Sequence, residues 1–511
     1  MAKAIHTTAN GTKYVYESIS YWDKTKKAPR TKQIYLGKLD PVTQELIPKR
    51  VPPERNSELL NLSVRTIGPT MLFEHVAEQS GLNSVLKKVF PDEWASILTL
   101  AYYVCHSNSA LAHCETWAAD HKTNSEVNLT SQSISRLLKN IDEAKRNQFL
   151  AAWLARFPQQ EVLCYDITSI SSYAKAMDFV RYGYNRDQEQ LPQINLALLY
   201  GQQSRLPVHY RRLPGNISDV STLKTTIQLL DYAGCGRLCF VMDMGFYSQS
   251  NLDELYERKY NFLMGAPSGR KWIAEIIDEQ WEKLNSPACF RRDGDATLYV
   301  TTKLEKWKGH RCYVHLFYNE AKKAQANDDF MFNLLQYKEK REAGLSESDR
   351  HDFYERFLTV SETSKRGIRV TFREELIRAY RERHSGVFVL LSNSQKDPMD
   401  ALDCYRNKDV IEKSFDNLKS EEDCKRLRMH SDQTAESKLF VCFLALILRS
   451  FIANGIRGHE ELERLGIPRL LRELNTLREV TSEHRYRRAV TERTKIQQMI
   501  MEVFNLSLQE A

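Results

Sequence analysis

The chain has 511 residues, is 42% hydrophobic and 27% charged, and carries a formal net charge of +7. These values describe an ordinary globular protein with several cores, without internal repeats or low-complexity segments. Most of the charge lies in residues 1–50, which hold ten Lys and Arg against four Asp and Glu. A basic segment with interspersed tyrosines is typical of a nucleic-acid surface, although a merely soluble basic hairpin has the same composition.

Neither secretion nor membrane insertion is expected. The N-terminus lacks an apolar signal core, and the most apolar run, residues 439–448, is too short to span a bilayer and predicts a buried helix. The ten cysteines have no paired framework spacing, which predicts reduced thiols. We therefore expect a cytoplasmic protein without a membrane partner.

Two small N-terminal domains are predicted within residues 1–160. Alternating polar and apolar residues in KYVYESISYW and TKQIYLGKL predict a basic β-rich DNA-binding unit over residues 1–62. Residues 63–160 predict an α-helical DNA-binding domain. Residues 131–140 fit the second helix of a helix-turn-helix, with Arg136 and Lys139 exposed, but any short amphipathic helix has this pattern. Which of the two domains reads DNA stays open.

Five Cys and His side chains in the helical region invite a zinc interpretation. Zinc ligands usually come in close pairs, whereas the i,i+7 and i,i+8 spacings here match repeats on a helix face. Core cysteines and loop histidines are therefore the better interpretation of Cys105, His106, His113, Cys114 and His121.

Residues 161–267 alternate strands with helices, and two aspartates follow apolar runs. Asp166 lies in VLCYDITS and Asp243 in RLCFVMDMGFYS. Open α/β sheets place their sites at the carboxyl ends of strands, where a buried carboxylate needs a partner or a metal. One such Asp is often a helix cap, but two at matching strand ends favour a shared site. Asp219 is a rival for the second position, although SDVSTL predicts it as a helix N-cap.

Residues 268–385 interrupt this pattern and predict a β-rich insertion domain, with hairpin turns at Asp293–Gly294 and Lys308–Gly309. The α/β domain resumes over residues 386–430. A helical C-terminal region is predicted for residues 431–511.

The segment YRNKDVIEKSFDNLK predicts one helix from Tyr405 to Lys419. At about 100° per residue, Tyr405, Lys408, Glu412 and Lys419 share an arc of roughly 60°. A solvated face with ordinary Glu–Lys pairs would have the same pattern. The upstream aspartates instead favour a site in which Asp166, Asp243 and Glu412 bind two Mg²⁺ ions, with Mn²⁺ as a substitute, for phosphoryl transfer.

The chain resembles the DDE transposases of bacterial insertion sequences, in the group marked by Tyr-x2-Arg-x3-Glu-x6-Lys. Tyr405, Glu412 and Lys419 match that motif, and Lys408 replaces its Arg, which keeps the charge but loses the bidentate fork. PGNISD and the N-terminal KYVYESISYWDK also resemble the family, so the likeness covers nearly the whole chain.

The resemblance implies an RNase H-like α/β catalytic domain split by the insertion, with Asp166, Asp243 and Glu412 as catalytic residues and metal ligands. It implies Mg²⁺-dependent cleavage and strand transfer of double-stranded DNA at terminal inverted repeats and target DNA. It also implies a homodimer in a synaptic complex, associated with the bacterial nucleoid. The DNA-binding candidates are Tyr405, Lys408, Lys419, Arg426, Arg428 and Trp307, the last to stack a flipped base or, alternatively, as a hairpin core residue.

Two other functions are compatible with these residues. An inactive or domesticated relative would bind DNA ends without cutting, but the presence of all three carboxylates argues against decay. An RNase H-like nuclease would cut without specific end binding or strand transfer.

Overall fold

The computed structural model describes residues 2–23, 27–49, 62–107, 109–158, 161–174, 177–187, 189–217, 219–232, 238–294, 296–343, 351–363, 367–421, 426–429, 431–482 and 487–508. The strands in chain order are β1 (Ala2–Thr7), β2 (Lys13–Asp23), β3 (Ala28–Leu39), β4 (Leu46–Pro48), β5 (Leu62–Thr66), β6 (Val162–Ser171), β7 (Gln193–Gly201), β8 (Pro207–Pro214), β9 (Cys239–Met242), β10 (Asn261–Ala266), β11 (Phe290–Asp293), β12 (Ala296–Trp307), β13 (His310–Tyr318), β14 (Leu358–Thr363), β15 (Gly367–Phe372), β16 (Val387–Ser392), β17 (Arg478–Ser482) and β18 (Arg487–Val490).

The α-helices fall before, between and after the strands. In chain order they are α1 (Gly68–Gln79), α2 (Leu82–Val89), α3 (Trp94–His106), α4 (Cys114–Asp120), α5 (Ser131–Asn140), α6 (Glu143–Leu154), α7 (Asp219–Tyr232), α8 (Gln249–Glu257), α9 (Lys271–Leu284), α10 (Glu320–Glu342), α11 (His351–Glu355), α12 (Glu374–Arg383), α13 (Pro398–Arg406), α14 (Asp409–Asp416), α15 (Asp432–Gly455), α16 (Glu460–Leu474) and α17 (Lys495–Val503).

The chain divides into two compact units. The smaller contains residues 1–64 and 479–490, and the larger contains residues 65–478 and 491–510. In the smaller unit β1 to β4 form an antiparallel sheet in chain order, as the alternation in the sequence predicts. The predicted linker over 51–61 lies outside the described residues. The boundaries of the six predicted segments stay predictions.

A nine-stranded mixed sheet organises the larger unit, in the order β11-β12-β13-β16-β10-β9-β6-β7-β8. The strands β6, β7 and β8 are antiparallel neighbours, while β9 runs parallel to β6 and β10 parallel to β9. A turn at Lys308 and Gly309, both with positive φ, joins β12 to β13 in register, as predicted for such a hairpin.

The strands of the predicted β-rich insertion, residues 268–385, do not all form a separate sheet. Its strands β11 to β13 extend the central sheet, because β13 pairs with β16 along six residue pairs. Only the hairpin β14–β15 forms a sheet of its own, and it packs with α10, α11 and α12 around a separate apolar cluster. Local hairpin signals do not reveal which strand a hairpin edge will join.

Alternate residues of the sheet face two different cores. In β6, Leu163, Tyr165 and Ile167 pack with β9, α7 and α8, whereas Cys164 and Ile170 pack with α13, α14 and α15. Because side chains alternate between the two faces of a strand, Asp166 lies on the same face as Cys164, which α13 and α14 cover.

One helix in the described part of the chain, α15, is long and apolar enough by composition to cross a membrane, and 78% of its apolar window is buried inside the protein. The prediction of a buried helix is therefore supported. The helix is longer than the apolar run of residues 439–448: it begins at Asp432, after the N-cap Ser431, and ends at Gly455. The predicted helical C-terminal region also contains β17 and β18, so that prediction is incomplete.

Cys105, Cys114 and His121 are buried, His106 is half-buried and His113 is exposed. The described residues contain no group of His, Cys, Asp and Glu that could hold a metal ion. His106 and His121 both contact Asn475, and Cys105 and Cys114 are buried thiols. The described free thiols also include Cys164, but Cys442 is disulfide-bonded, which departs from the prediction that all cysteines are reduced.

Candidate active site

The two predicted aspartates lie side by side on parallel strands. Tyr165 of β6 pairs with Met242 of β9, so the next residues, Asp166 and Asp243, occupy neighbouring positions. Asp243 ends its strand and leads into a turn of 3₁₀-helix, where it is exposed. Parallel register therefore brings together two carboxylates that are 77 positions apart in sequence.

Asp166 carries an unfavourable charge in the structure. Burial raises its pKa to about 6, and the charge of Asp243 adds to this rise. A hydrogen bond of 2.8 Å from the backbone N–H of Ile167, together with the charges of Arg186 and Lys408, works in the opposite direction. A raised carboxyl pKa is what desolvation beside a like charge produces, and a bound cation would relieve it.

Tyr405 links the helical layer to Asp243. Its hydroxyl donates a hydrogen bond of 2.6 Å to Oδ1 of Asp243, and its ring packs against Phe388. Gly265 makes room for this contact, because a Cβ there would lie 2.9 Å from the Tyr405 hydroxyl oxygen and 3.0 Å from the backbone N of Met244. Tyr405 was predicted to donate to a phosphate, but in this structure it donates to a carboxylate.

Lys408 and Glu412 form an ion pair with an Nζ–Oε1 distance of 2.5 Å. Burial lowers the pKa of Lys408, but Glu412, Asp243 and Asp166 together outweigh that effect and raise it. Burial raises the pKa of Tyr405 most, and the same three carboxylates raise it further. The structure therefore groups Asp166, Asp243 and Glu412 around one phenol and one ammonium group.

The predicted continuous helix from Tyr405 to Lys419 is wrong. The chain breaks between α13 and α14 at Asn407 and Lys408, and a turn of π-helix, Asn417–Glu421, follows α14. Tyr405, Lys408 and Glu412 still face the aspartates, but Lys419 does not join them. Its ammonium group, in the π-turn, instead binds both carboxylate oxygens of Asp187, at 2.7 and 2.8 Å.

Two other predicted DNA-binding residues are engaged within the chain. Arg426 forms an ion pair with Glu189 and pairs as a β-bridge with Ser171. Trp307 donates from its indole N–H to Asp253 at 2.9 Å and packs against Trp272. These contacts favour the alternative of a hairpin core residue for Trp307.

Arg428 is exposed and has a positive φ of 43°. Its contact with DNA stays a prediction. The helix-turn-helix candidate α5 has Arg136 and Lys139 exposed, as predicted. Asp219 begins α7, but its side chain lies outside the described residues.

A metal would find an incomplete ligand set here. In the described part of the chain, no three His, Cys, Asp or Glu side chains are grouped closely enough to hold a metal ion. Asp166 and Asp243 supply the hard oxygen donors that Mg²⁺ prefers, but Glu412 is paired with Lys408. The two aspartates therefore fit a metal ion, and Glu412 fits as a third ligand only after it releases Lys408.

Three charged residues near the site were not identified from the sequence. Arg186 lies close enough to Asp166 to lower its pKa, while Asp187 and Glu189 neutralise Lys419 and Arg426. All three lie between β6 and β7 in RYGYNRDQEQ, and the two acids precede their basic partners by more than 200 residues. No spacing rule connects residues so far apart, so only the charge pattern of that segment could have drawn attention to them.

Comparisons with known proteins add a family match. A family model described as a transposase DDE domain matches residues 157–448, which include both aspartates and Glu412. A direct comparison with curated proteins finds no match. Among solved structures, the chain is similar to the cryo-EM structure of a piggyBac transposase synaptic complex with hairpin DNA. The two are 10% identical over 80% of this chain and 77% of that chain, with a TM-score of 0.38, which supports no functional argument.

Proposed function

The chain belongs to the transposase DDE domain family, and on that premise we propose that it binds the terminal inverted repeats of an insertion sequence and catalyses Mg²⁺-dependent cleavage and strand transfer. One observation carries the proposal. Asp166 and Asp243 are neighbours on parallel strands, and Tyr405 ties the α13–α14 segment to Asp243, while Lys408 pairs with Glu412 within that segment. Unrelated surface carboxylates would not be linked in this way.

The sheet supports an RNase H-like catalytic domain. Three antiparallel strands, β6 to β8, are followed by β9 and β10, which add in parallel on the other side of β6. β6 is therefore the middle strand of these five, and its aspartate lies beside the end of β9. The strands of the predicted insertion then extend the same sheet beyond β16.

The proposed cofactor is Mg²⁺, two ions, held by Asp166, Asp243 and Glu412, with Mn²⁺ as a substitute. Bound metal would lower the pKa of an attacking water or 3′-hydroxyl and stabilise the leaving oxygen. The protein residues prepare for that chemistry. Tyr405 fixes one oxygen of Asp243, and the partial burial of Asp166 makes its charge costly until a cation is present.

Lys408 and Lys419 would provide the phosphate contacts. Lys408 already lies among the three carboxylates, so a phosphate oxygen near Asp166 and Asp243 would fall within reach of its ammonium group. If Glu412 served as a metal ligand, Lys408 would lose its present partner, and a phosphate oxygen would replace it. The proposed partner is double-stranded DNA, bound by a homodimer in a synaptic complex in the bacterial cytoplasm.

A cleavage assay on inverted-repeat DNA tests the proposal. We expect wild-type protein to cut in Mg²⁺, and Asp166→Ala, Asp243→Ala and Glu412→Ala each to abolish cutting while end binding persists. Asp219→Ala serves as the matched control and should cut normally. Cutting by Asp243→Ala but not by Asp219→Ala would exchange their roles.

The same assay separates the competing functions. End binding without cutting by the wild-type protein would identify an inactive relative. Cutting without end preference and without strand transfer would identify a nuclease. Retained cleavage in any of the three alanine variants would reject the carboxylate assignment.

A further inference from the structure

The three most exposed aromatic side chains in the described part of the chain lie in one connection, between β6 and β7. Tyr173, Tyr182 and Tyr184 are 70%, 74% and 79% exposed. We call these three side chains the tyrosine surface. Exposed apolar residues scattered singly need no explanation, whereas three strongly exposed rings in one connection favour a binding role for that segment.

The backbone that carries Tyr182 and Tyr184 is held firmly. The carbonyl oxygen of Tyr184 accepts hydrogen bonds from the fully buried Gln193 Nε2, at 2.8 Å, and from Ser169 Oγ, at 3.4 Å. Arg181 and Gln193 exchange two backbone hydrogen bonds of 2.9 Å. A buried polar network of this kind fixes the position of a loop. The two exposed rings therefore project from a backbone that is held in place.

A glycine between the two tyrosines adds a further constraint. A Cβ on Gly183 would lie 2.0 Å from the carbonyl oxygen of Gly215, so the loop packs directly on the turn after β8. Asn185 extends the anchorage by donating to Ser171 Oγ at 3.2 Å. The connection is thus tied to β6 on one side and to the end of β8 on the other.

Basic side chains lie around the tyrosine surface, and one of them, Arg426, is paired with Glu189. The guanidinium group of Arg426 lies 5.9 Å from the centre of the Tyr173 ring, and Arg186 interacts electrostatically with Asp166. Arg181 is exposed next to Tyr182. Basic groups interleaved with aromatic rings are the usual composition of a nucleic-acid surface.

The exposed rings indicate which form of nucleic acid fits. A duplex buries the faces of its bases in the stack, so an aromatic side chain reaches a base face only where the base is unpaired. We propose that the tyrosine surface stacks unpaired nucleotides of the DNA strand next to Asp166, an inference that rests on the proposed function. It would hold open the DNA at the cut and so favour substrates that are already unpaired there.

Binding without metal tests this inference separately from cleavage. Fluorescence anisotropy of the full chain would be measured in EDTA with a labelled single strand of about 20 nucleotides and with the corresponding duplex. We expect the Tyr182→Ala/Tyr184→Ala double variant to lose about tenfold or more in affinity for the single strand, with little change for the duplex. Its salt slope should stay that of the wild type, because no charge is removed.

Two matched variants keep the result specific. Tyr182→Phe/Tyr184→Phe retains both rings and should bind like the wild type, and Phe332→Ala removes an exposed ring from α10 and should also have no effect. Thermal melting of each variant checks that the chain remains folded. If the alanine variant binds single strands normally, or if wild-type protein does not bind them, the inference is wrong.

Two further results would overturn stacking by the tyrosine surface. Equal losses of affinity for the single strand and the duplex would mean that the tyrosines contact the DNA backbone in general. A change in sedimentation with unchanged DNA binding would mean that the rings join two copies of the chain. If no DNA is cut but the single-strand preference depends on the tyrosines, the proposed function fails while this inference stands.

Discussion

The hydroxyl of Tyr405 lies 2.6 Å from Oδ1 of Asp243 and donates a hydrogen bond to it across 162 positions of sequence. This contact connects the first helix after β16 to the end of β9. It holds one carboxylate oxygen in place and leaves the other oxygen of Asp243 available to a ligand. Tyr405 is itself 8% exposed, so its ring is fixed by the core on one side and by Asp243 on the other.

Replacing Tyr405 by Phe removes this hydrogen bond and keeps the ring. A hydrogen bond to a charged group contributes about 1.5–3 kcal/mol, so we expect the cleavage rate at limiting Mg²⁺ to fall by roughly tenfold or more. End binding should not change. Tyr200→Phe is the control, because it removes hydrogen bonds of another core tyrosine, to the Arg205 carbonyl and to Ser450 Oγ, neither of which involves a carboxylate. Equal cleavage by both variants would show that the contact with Asp243 has no positioning role.

The raised pKa of Asp166 predicts a pH-dependent stability. Its folded-state pKa of about 6 exceeds the ordinary value of 3.8, so the folded protein binds this proton more tightly than the unfolded chain. The resulting stability is present below about pH 4 and is lost as the pH rises through about 6. The loss is at most about 3 kcal/mol, since the side chain is partly exposed and solvent screens its charge.

Asp166→Asn should therefore melt at a higher temperature than the wild type near pH 7.5 in EDTA, and at about the same temperature near pH 4. Mg²⁺ should stabilise the wild type and not the variant. Wild-type cleavage should rise as the pH passes through about 6, because the metal site needs the ionised carboxyl. A destabilised Asp166→Asn protein at pH 7.5 would contradict this account.

Lys408 stands where the related group has Arg, and it pairs with Glu412. Lys408→Met removes the charge, so we expect cleavage to fall by about tenfold or more. Lys408→Arg keeps the charge and should retain most of the activity. Lys338→Met, which breaks another i,i+4 pair with Glu342 on α10, should have no effect. Single-turnover cleavage of end DNA measures all three.

Substitutions at the two partners of the Lys419–Asp187 ion pair should change DNA affinity in opposite directions. Lys419→Ala should weaken end binding and lower the salt slope by about 1, if the lysine exchanges Asp187 for a phosphate. Asp187→Asn should strengthen binding at low salt, because the lysine is then free of its present partner. Titrations at several salt concentrations test both variants. An unchanged slope in Lys419→Ala would show that the lysine contacts no phosphate and only anchors the β6–β7 connection.

Sequence alone determined the features that depend on neighbouring residues. The apolar runs of β6 and β9 predicted buried strands, and the Lys308–Gly309 turn predicted the β12–β13 hairpin. Strand periodicity also explains why Asp166 faces the layer that contains Tyr405. The spacing of Tyr405, Lys408 and Glu412 predicted a common face, and they do meet, although a helix break replaces the expected continuous helix.

Tertiary structure decided the features that depend on distant partners. Lys419 lies in a π-turn after α14, and Asp187 and Glu189 proved to be the partners of Lys419 and Arg426. The edge of β13 joined the central sheet through β16. Backbone propensity and side-chain period act within one element, whereas sheet edges and ion pairs join whichever complementary groups the folded chain brings within a few ångströms. The sequence predicted which residues carry the chemistry, and the fold decided what each of them touches.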